Sequence, residues 1–231
     1  MALNIETTAN ANDTGFNSVI TTGGLTTVVA NCLLLARVTI TAGGGTTIVT
    51  DSGSHTWTKV ISATIQSRPV EIWVALSALA LVSVTVTSTG QNGGQNIGIA
   101  VDVISGVDTG SGNGTSAIGA TVSANGASGS PTVNLITTRN NSWVFAMNGQ
   151  HEPTTASAGS NQTIEYQLPD SRGFASGDAI KQNSTTSTSG TTVTSNLTGL
   201  NSDWNIAAVE VLPPAAVGTR RQQHLQLLGI G

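Results

Sequence analysis

Val82-Ser83-Val84-Thr85-Val86-Thr87 alternates apolar and polar residues without a fault. Successive side chains of an extended chain point to opposite faces, so this order sets three valines on one side and hydroxyls on the other, as in a strand with one face in a core. The same period of two extends in both directions. Val38-Thr39-Ile40-Thr41 and Thr46-Thr47-Ile48-Val49 flank Ala42-Gly43-Gly44-Gly45, where glycine tolerates a tight reversal, and a hairpin is predicted there. Further strands are predicted over 70–75, 97–104, 118–122, 132–137, 143–147, 163–168, 191–195 and 205–212, with loops rich in Gly, Ser, Asn and Thr between them. Only 75–81 has the pattern of a helical turn, and its place between strands makes it a connector. Strands without crossover helices exclude a parallel βαβ sheet. The expected fold is all-β: an antiparallel two-sheet β-sandwich, jelly-roll-like, with no fixed-period repeat of the propeller or solenoid kind.

Composition narrows the classes further. The 231 residues are 38% hydrophobic but only 9% charged, against about 25% charged in an ordinary soluble protein. A disordered chain combines low hydrophobicity with high net charge, and a net charge of −4 with abundant Val, Ile and Leu does not supply that. The longest apolar run, Val28 to Val38, is interrupted by Asn31 and Arg37, short of the roughly 18 residues of a membrane helix. Eight Lys and Arg against twelve Asp and Glu leave no basic field for nucleic acid. A single cysteine, Cys32, sits among Val, Ala and Leu and reads as a small buried hydrophobe, with no partner for a disulfide. Met1-Ala2-Leu3-Asn4-Ile5-Glu6 has neither the basic nor the apolar region of a secretory signal. A chain made in a cytoplasm, yet composed like a surface that lives outside cells, points to a virus particle; secretion with the leader removed is the competing explanation.

After Leu212 the alternation stops. Pro213-Pro214 cannot continue a central strand, and a segment of different composition follows: Arg220-Arg221-Gln222-Gln223-His224-Leu225-Gln226-Leu227-Leu228-Gly229-Ile230-Gly231. The chain is accordingly read as one sandwich domain over 1–213 and an extended C-terminal arm over 214–231. Leu225, Leu227, Leu228 and Ile230 would be an uncovered apolar patch if left in water, so they are read, together with Arg220 and Arg221, as partner-binding residues.

Asp51-Ser52-Gly53-Ser54-His55-Thr56-Trp57-Thr58 resembles the "DSxGNTWT" turn of an uncharacterised family of β-sandwich proteins from phages and bacteria. Other pieces follow in matching order: Thr21 to Gly24 before Cys32 to Leu35, Glu71 to Trp73 with Val82 to Thr89, Val103 to Val107, and Trp204 to Val209. The resemblance spans about residues 16 to 212; His55 replaces the usual Asn of the turn, and the arm lies outside the shared region. Similar members are often encoded among virion genes, which implies a particle component. Physically the turn has a structural reading: Asp51 and Ser52 bond their own backbone, Gly53 supplies a positive φ, and Trp57 anchors the next strand.

A polysaccharide depolymerase needs two carboxylates flanking the scissile bond. Glu71, Glu165 and Glu210 alternate with apolar neighbours and read as solvated strand residues; Asp102, in a strand apolar on both faces, reads as a buried hydrogen-bonded carboxylate or an interface residue. Gly-x-Ser-x-Gly is missing, and although spacing leaves a Ser, His and Asp constellation open, His55, His151 and His224 fall in a turn, a loop and the arm, poor places for a rigid base. The loop Asp108 to Asn113 offers oxygen ligands for calcium but one carboxylate, and reads as a plain loop. The aromatic residues are committed to strands except Phe174, which argues against a glycan platform.

No catalytic, cofactor-binding or metal-ligating residue is assigned. The expectation is a non-enzymatic, cofactor-free bacteriophage virion protein, a capsid decoration or cement protein. Its expected partners are the major capsid protein or another virion protein and copies of itself, with neither nucleic acid nor membrane. The alternatives are a tail or fibre accessory protein and a carbohydrate-binding or adhesive module.

Overall fold

The computed structural model of the chain describes residues 2–216 apart from 14, 43–44, 67, 152–154 and 170–174. Sixteen strands fall into two successive sets of eight. The first set is β1 (Asn4–Asn12), β2 (Val19–Thr21), β3 (Cys32–Ala42), β4 (Thr47–Asp51), β5 (Thr58–Ala63), β6 (Val70–Ser77), β7 (Val86–Gly90) and β8 (Asn96–Ser105). After a 3₁₀ turn at Thr115–Ala117 come β9 (Ile118–Gly126), β10 (Thr132–Ile136), β11 (Trp143–Gln150), β12 (Ser157–Ala158), β13 (Gln162–Pro169), β14 (Ser176–Gln182), β15 (Thr192–Thr198) and β16 (Trp204–Val211).

The two sets have one strand order. The first forms a five-stranded sheet β1-β8-β3-β6-β5 and a three-stranded sheet β2-β7-β4. The second forms β9-β16-β11-β14-β13 and β10-β15-β12, the same orders with each strand replaced by the one eight places later. Every pairing is antiparallel. Even the irregularities recur: β1 and β9 each slip at their first residues, and β5 and β13 each slip near the middle. Strands that return to lie beside the first strand of their set are the jelly-roll pattern. The antiparallel sandwich read from the sequence is thus present, and it is built twice.

Two large sheets stack on each other, β3 over β11, β1 over β13 and β5 over β9, so the sandwiches are related by an approximate two-fold axis along the strands. Four layers result. Between the large sheets lies a shared core that includes Leu33, Leu35, Ile72, Val74, Phe145, Met147, Val209 and Val211. Each outer gap has its own core: Leu34, Val38, Val86, Ile99 and Val101 in the first sandwich, and Val133, Leu135, Ala146, Ile180 and Ile206 in the second. Along β3 the residues Cys32, Leu34, Ala36 and Val38 enter the outer core while Leu33 and Leu35 enter the shared one. A strand buried on both faces must be apolar on both, which is why 32–38 reads as a continuous run rather than an alternation. At the far end the large sheets approach closely around Thr39. A Cβ on Gly177 would stand 2.3 Å from the Thr39 methyl and one on Gly149 2.9 Å from its hydroxyl, so only glycine fits there.

Several local expectations change in the fold. Val84 and Val86 are buried, but Val82 is 79% exposed, because the strand proper begins at Val86 and Val84 makes only an isolated bridge with Leu25. The predicted hairpin about Gly43 to Gly45 does not form: both edges of β3 are taken by β6 and β8, and β4 crosses to the small sheet to pair with β7. The sequence reading passed over β1, β2, β12 and β14, whose Asn, Thr, Ser, Gly and Asp content hides a strand that neighbours complete.

Candidate functional site

The turn singled out in the sequence is a hub of hydrogen bonds on one carboxylate. Asp51 Oδ1 accepts from the backbone N–H of Gly53 at 2.6 Å and of His55 at 3.4 Å, and faces His55 Nδ1 at 3.0 Å; Asp51 Oδ2 accepts from Trp57 Nε1 at 2.5 Å. Ser52 Oγ accepts from the N–H of Thr85 and so ties the turn to the segment entering β7. The left-handed residue is Ser54, with φ 60°, rather than Gly53. Gly53 is needed for closeness instead, since a Cβ there would meet the His55 ring at 2.6 Å.

The fold also adds a third member. His55 Nε2 lies 3.0 Å from Ser77 Oγ at the end of β6, so Asp51, His55 and Ser77 line up as a carboxylate, an imidazole and a hydroxyl. Sequence reasoning missed Ser77, which is separated by 22 residues from His55 and has no local motif. It also placed His55 in a turn too loose for a rigid base, whereas Asp51 and Ser77 hold its two ring nitrogens. Geometry nevertheless gives this trio a structural role. The Ser77 hydroxyl also lies 2.8 Å from the Leu79 carbonyl, a backbone acceptor that competes with the imidazole for its single proton. Ser77 is moreover 2% exposed.

All four strand carboxylates weighed in the sequence are turned inward, a correction to the solvated reading of Glu71, Glu165 and Glu210. Glu71 accepts from Thr46 Oγ1, Thr47 Oγ1, Lys59 Nζ and Trp73 Nε1. Burial would raise its carboxyl, but these donors outweigh burial and hold it below the ordinary value. Glu210 accepts from the N–H groups of Ala120, Thr138 and Arg139, and they bring it below the usual range against the opposing effect of burial. It closes the loop that leads into β11.

Asp102 and Glu165 meet on one cation between the two sandwiches. Arg37 Nη2 stands 2.5 Å from Asp102 Oδ2 and 2.6 Å from Glu165 Oε2, and Arg37 Nη1 donates to the Ile180 carbonyl at 2.8 Å. Lys181 Nζ adds a bond to Glu165 Oε1 at 2.8 Å. Burial would lower the Arg37 guanidinium, but its two carboxylates keep it above its ordinary value. Glu165, shared by two cations, is held low in spite of burial. Asp102 is pushed up to about 6 by burial, with Arg37 only partly offsetting it. Asp178, in the second sandwich, is likewise pushed up to about 6 by burial, with Asn148 and Gln167 as amide donors. These groups lock strands and sheets together. Asp102 and Glu165 share one cation, an arrangement that joins the sandwiches rather than flanking an open cleft.

The remaining candidates are scattered. Cys32 is buried, with its thiol pushed up to about 11 by that burial. His151 faces Asp203 at 3.3 Å on the surface. In the 108–114 loop, Asp108 Oδ1 accepts from the Gly110 N–H and Asp108 Oδ2 from Arg139, so the oxygens a calcium ion would use are engaged within the protein. Among the described residues no group of three His, Cys, Asp or Glu is gathered for a metal. Arg220, Arg221, Leu225, Leu227, Leu228 and Ile230, and also Phe174 and His224, lie outside the described residues.

No protein-family model, curated protein or solved structure matches this chain. The outward face of the first small sheet presents Val19, Thr21, Ile48, Thr50, Thr87 and Thr89, and that of the second presents Thr132, Asn134, Ile136, Thr192 and Thr194. Among the described residues neither face carries an ionisable group. Such surfaces can be buried against another protein without desolvating ions, and contacts made through them are insensitive to salt.

Proposed function

We propose that this protein is a non-enzymatic structural component of a bacteriophage particle, a capsid decoration or cement protein. It is made in the host cytoplasm and binds the major capsid protein or another virion protein alongside further copies of itself. The observation that carries this reading is the disposition of charge. The carboxylates Asp51, Glu71, Asp102, Glu165, Asp178 and Glu210 serve internal bonds, and both outer faces of the four-layer body are left to hydroxyl, amide and aliphatic groups. That is a rigid block with large areas suited to flat, salt-tolerant contact. The resemblance of the 51–58 turn to a family often encoded among virion genes supports the same reading. The arm is the attachment element, with Leu225, Leu227, Leu228 and Ile230 buried on the partner and Arg220 and Arg221 at the margin.

Purified particles from the organism that carries the gene test this. The protein should be found in them at many copies per particle by mass spectrometry, and labelled antibodies should place it on the head. Recovery of particles that lack it sinks the reading, and a tail location replaces decoration by a tail or fibre role. Within the same assay Leu227→Asp should weaken attachment, because a buried unpaired carboxylate costs several kcal/mol. Wild-type incorporation of that variant would leave the arm without a role in attachment.

A further inference from the structure

Val28, Leu79 and Val82 are 95%, 76% and 79% exposed, and they stand together at one end of the first sandwich, with Ala78 and Ala80 exposed between them. Their two loops are stapled to each other, so the patch is a built surface. The Thr27 N–H donates to the Leu81 carbonyl, the Leu81 N–H to Thr27 Oγ1, and the Ser83 N–H to Thr26 Oγ1. The corresponding end of the second sandwich is shaped differently, a groove of about 940 Å³ lined on one side by Arg139, Asn140 and Asn141 and on the other by Leu3, Pro213 and Pro214. At the first end, by contrast, the large apolar side chains stand out in water.

The size of the patch and the position of the chain's last described residues identify that cover. Three large side chains fall far short of the roughly 800 Å² per partner that a stable protein interface needs, so the patch suits a short apolar segment better than a second globular body. The chain leaves the body at the same end. Cys32 pairs with Ser77 where the patch begins, Trp143 pairs with Val211 at the start of the exit, and the Asp108 N–H donates to the Leu212 carbonyl between them. Arg139 Nη1 then holds the Pro213 carbonyl at 2.6 Å. With packed sheets about 10 Å apart, exit and patch are separated by roughly 20 Å. Residues 217–224, extended, span about 26 Å.

We infer that in the free chain the segment Leu225-Gln226-Leu227-Leu228-Gly229-Ile230 covers its own Val28, Leu79 and Val82 patch. A tether of this length gives an effective concentration in the millimolar range, so a contact too small to join two molecules closes within one. The inference goes beyond the proposed particle role, since it concerns the protein before it meets any partner.

Full-length protein carrying Val82→Cys and Leu227→Cys tests it. Under mild oxidation in dilute solution an intrachain disulfide should form at a yield independent of protein concentration, while Cys32, buried and with its thiol raised to about 11, stays out of the reaction. Interchain dimers whose yield rises with concentration would overturn the inference in favour of a second copy as the occupant, and a failure to cross-link would overturn it outright. Leu225→Ser, Leu227→Ser and Leu228→Ser combined should raise binding of an apolar dye several-fold, and adding Leu79→Ser and Val82→Ser should return it to the starting level. Unchanged dye binding in the triple variant counts against the cover. None of these readouts uses particles, so absence from particles would sink the proposed function and leave this result standing.

Discussion

The first and second sandwiches share every strand connection but treat the carboxylate on their sixth strand in opposite ways. Glu71 on β6 faces Val38 of the central strand, and Asp178 on β14 faces Asn148. Glu71 is met by two threonines, a lysine and an indole, which together hold its carboxyl below the ordinary value despite burial. Asp178 is met by two side-chain amides at 3.2 and 3.3 Å, too little to offset burial, and its carboxyl rises to about 6. Strand order therefore dictates which strand has an inward face at that point and leaves the electrostatic character of the face open. The ends of the sandwiches teach the same lesson: one topology carries a projecting apolar tip in the first half and a groove of mixed lining in the second.

The comparison breaks most severely where the halves are joined. Arg37→Met removes the only guanidinium between Asp102 and Glu165 and leaves two buried carboxylates facing each other, so denaturant unfolding at pH 7 should show a loss of about 3–5 kcal/mol. The deficit should shrink at pH 5, where Asp102 takes up a proton. Equal losses at both pH values would show that the ion cluster does not hold the halves together.

The opposite signs of Glu71 and Asp178 sharpen it next. A carboxyl raised from 3.8 to about 6 on folding means that the native state binds more protons, so the Asp178 contribution to stability is full below about pH 4 and is lost as pH rises through 6. Its size is up to ~3 kcal/mol at about 1.4 kcal/mol per unit. Asp178→Asn should flatten stability between pH 4 and 6. Glu71→Gln should do the reverse, abolishing a contribution that is present above pH 4.5 and lost as the solution is acidified through the lowered native value. Melting curves across that range that respond alike to the two changes would erase the distinction.

Smaller effects belong to the turn between β4 and β5, whose counterpart in the second sandwich, Gly159-Ser160-Asn161, has no Asp, His or Trp. Trp57→Phe leaves Asp51 Oδ2 without its indole donor and should cost about 1–3 kcal/mol in thermal unfolding. Ser77→Ala removes the bridge from His55 to the Leu79 carbonyl and should cost about 1 kcal/mol, with a fluorophosphonate probe leaving Ser77 unlabelled in the parent protein. Covalent labelling at Ser77 would restore a catalytic reading of the trio.

Much of the strand content was legible because period two survives where one face is buried, as in β10 and β15, and a continuous apolar run marks strands buried on both, as in β8, β11 and β16; all five begin within one residue of their predicted starts. The failures have physical causes. At Val82 the alternation continues past the end of the strand, because an exposed valine on a connecting loop obeys the same pattern as a buried one on a strand. Glu165 was read as solvated because its partner cations, Arg37 and Lys181, are supplied by other strands and, for Arg37, by the other sandwich. Ser77 was invisible for a related reason, being an ordinary strand residue until the turn of 51–57 folds against it. Asp102 was read correctly as buried and bonded, since a charge in a run apolar on both faces has nowhere else to go.

By itself the sequence determined that this protein is all-β and antiparallel, poor in charge and rich in hydroxyls, because those properties depend on the order of neighbouring side chains and on composition. Only the tertiary structure decided that the sandwich occurs twice about an approximate two-fold, which acids face which bases, and which apolar residues stay in water. Those outcomes depend on pairings between residues as much as 158 positions apart, such as Tyr166 with Thr8, and 143 for Arg37 with the Ile180 carbonyl. A period of two cannot say which sheet a strand will join, and that choice places every charge in this molecule.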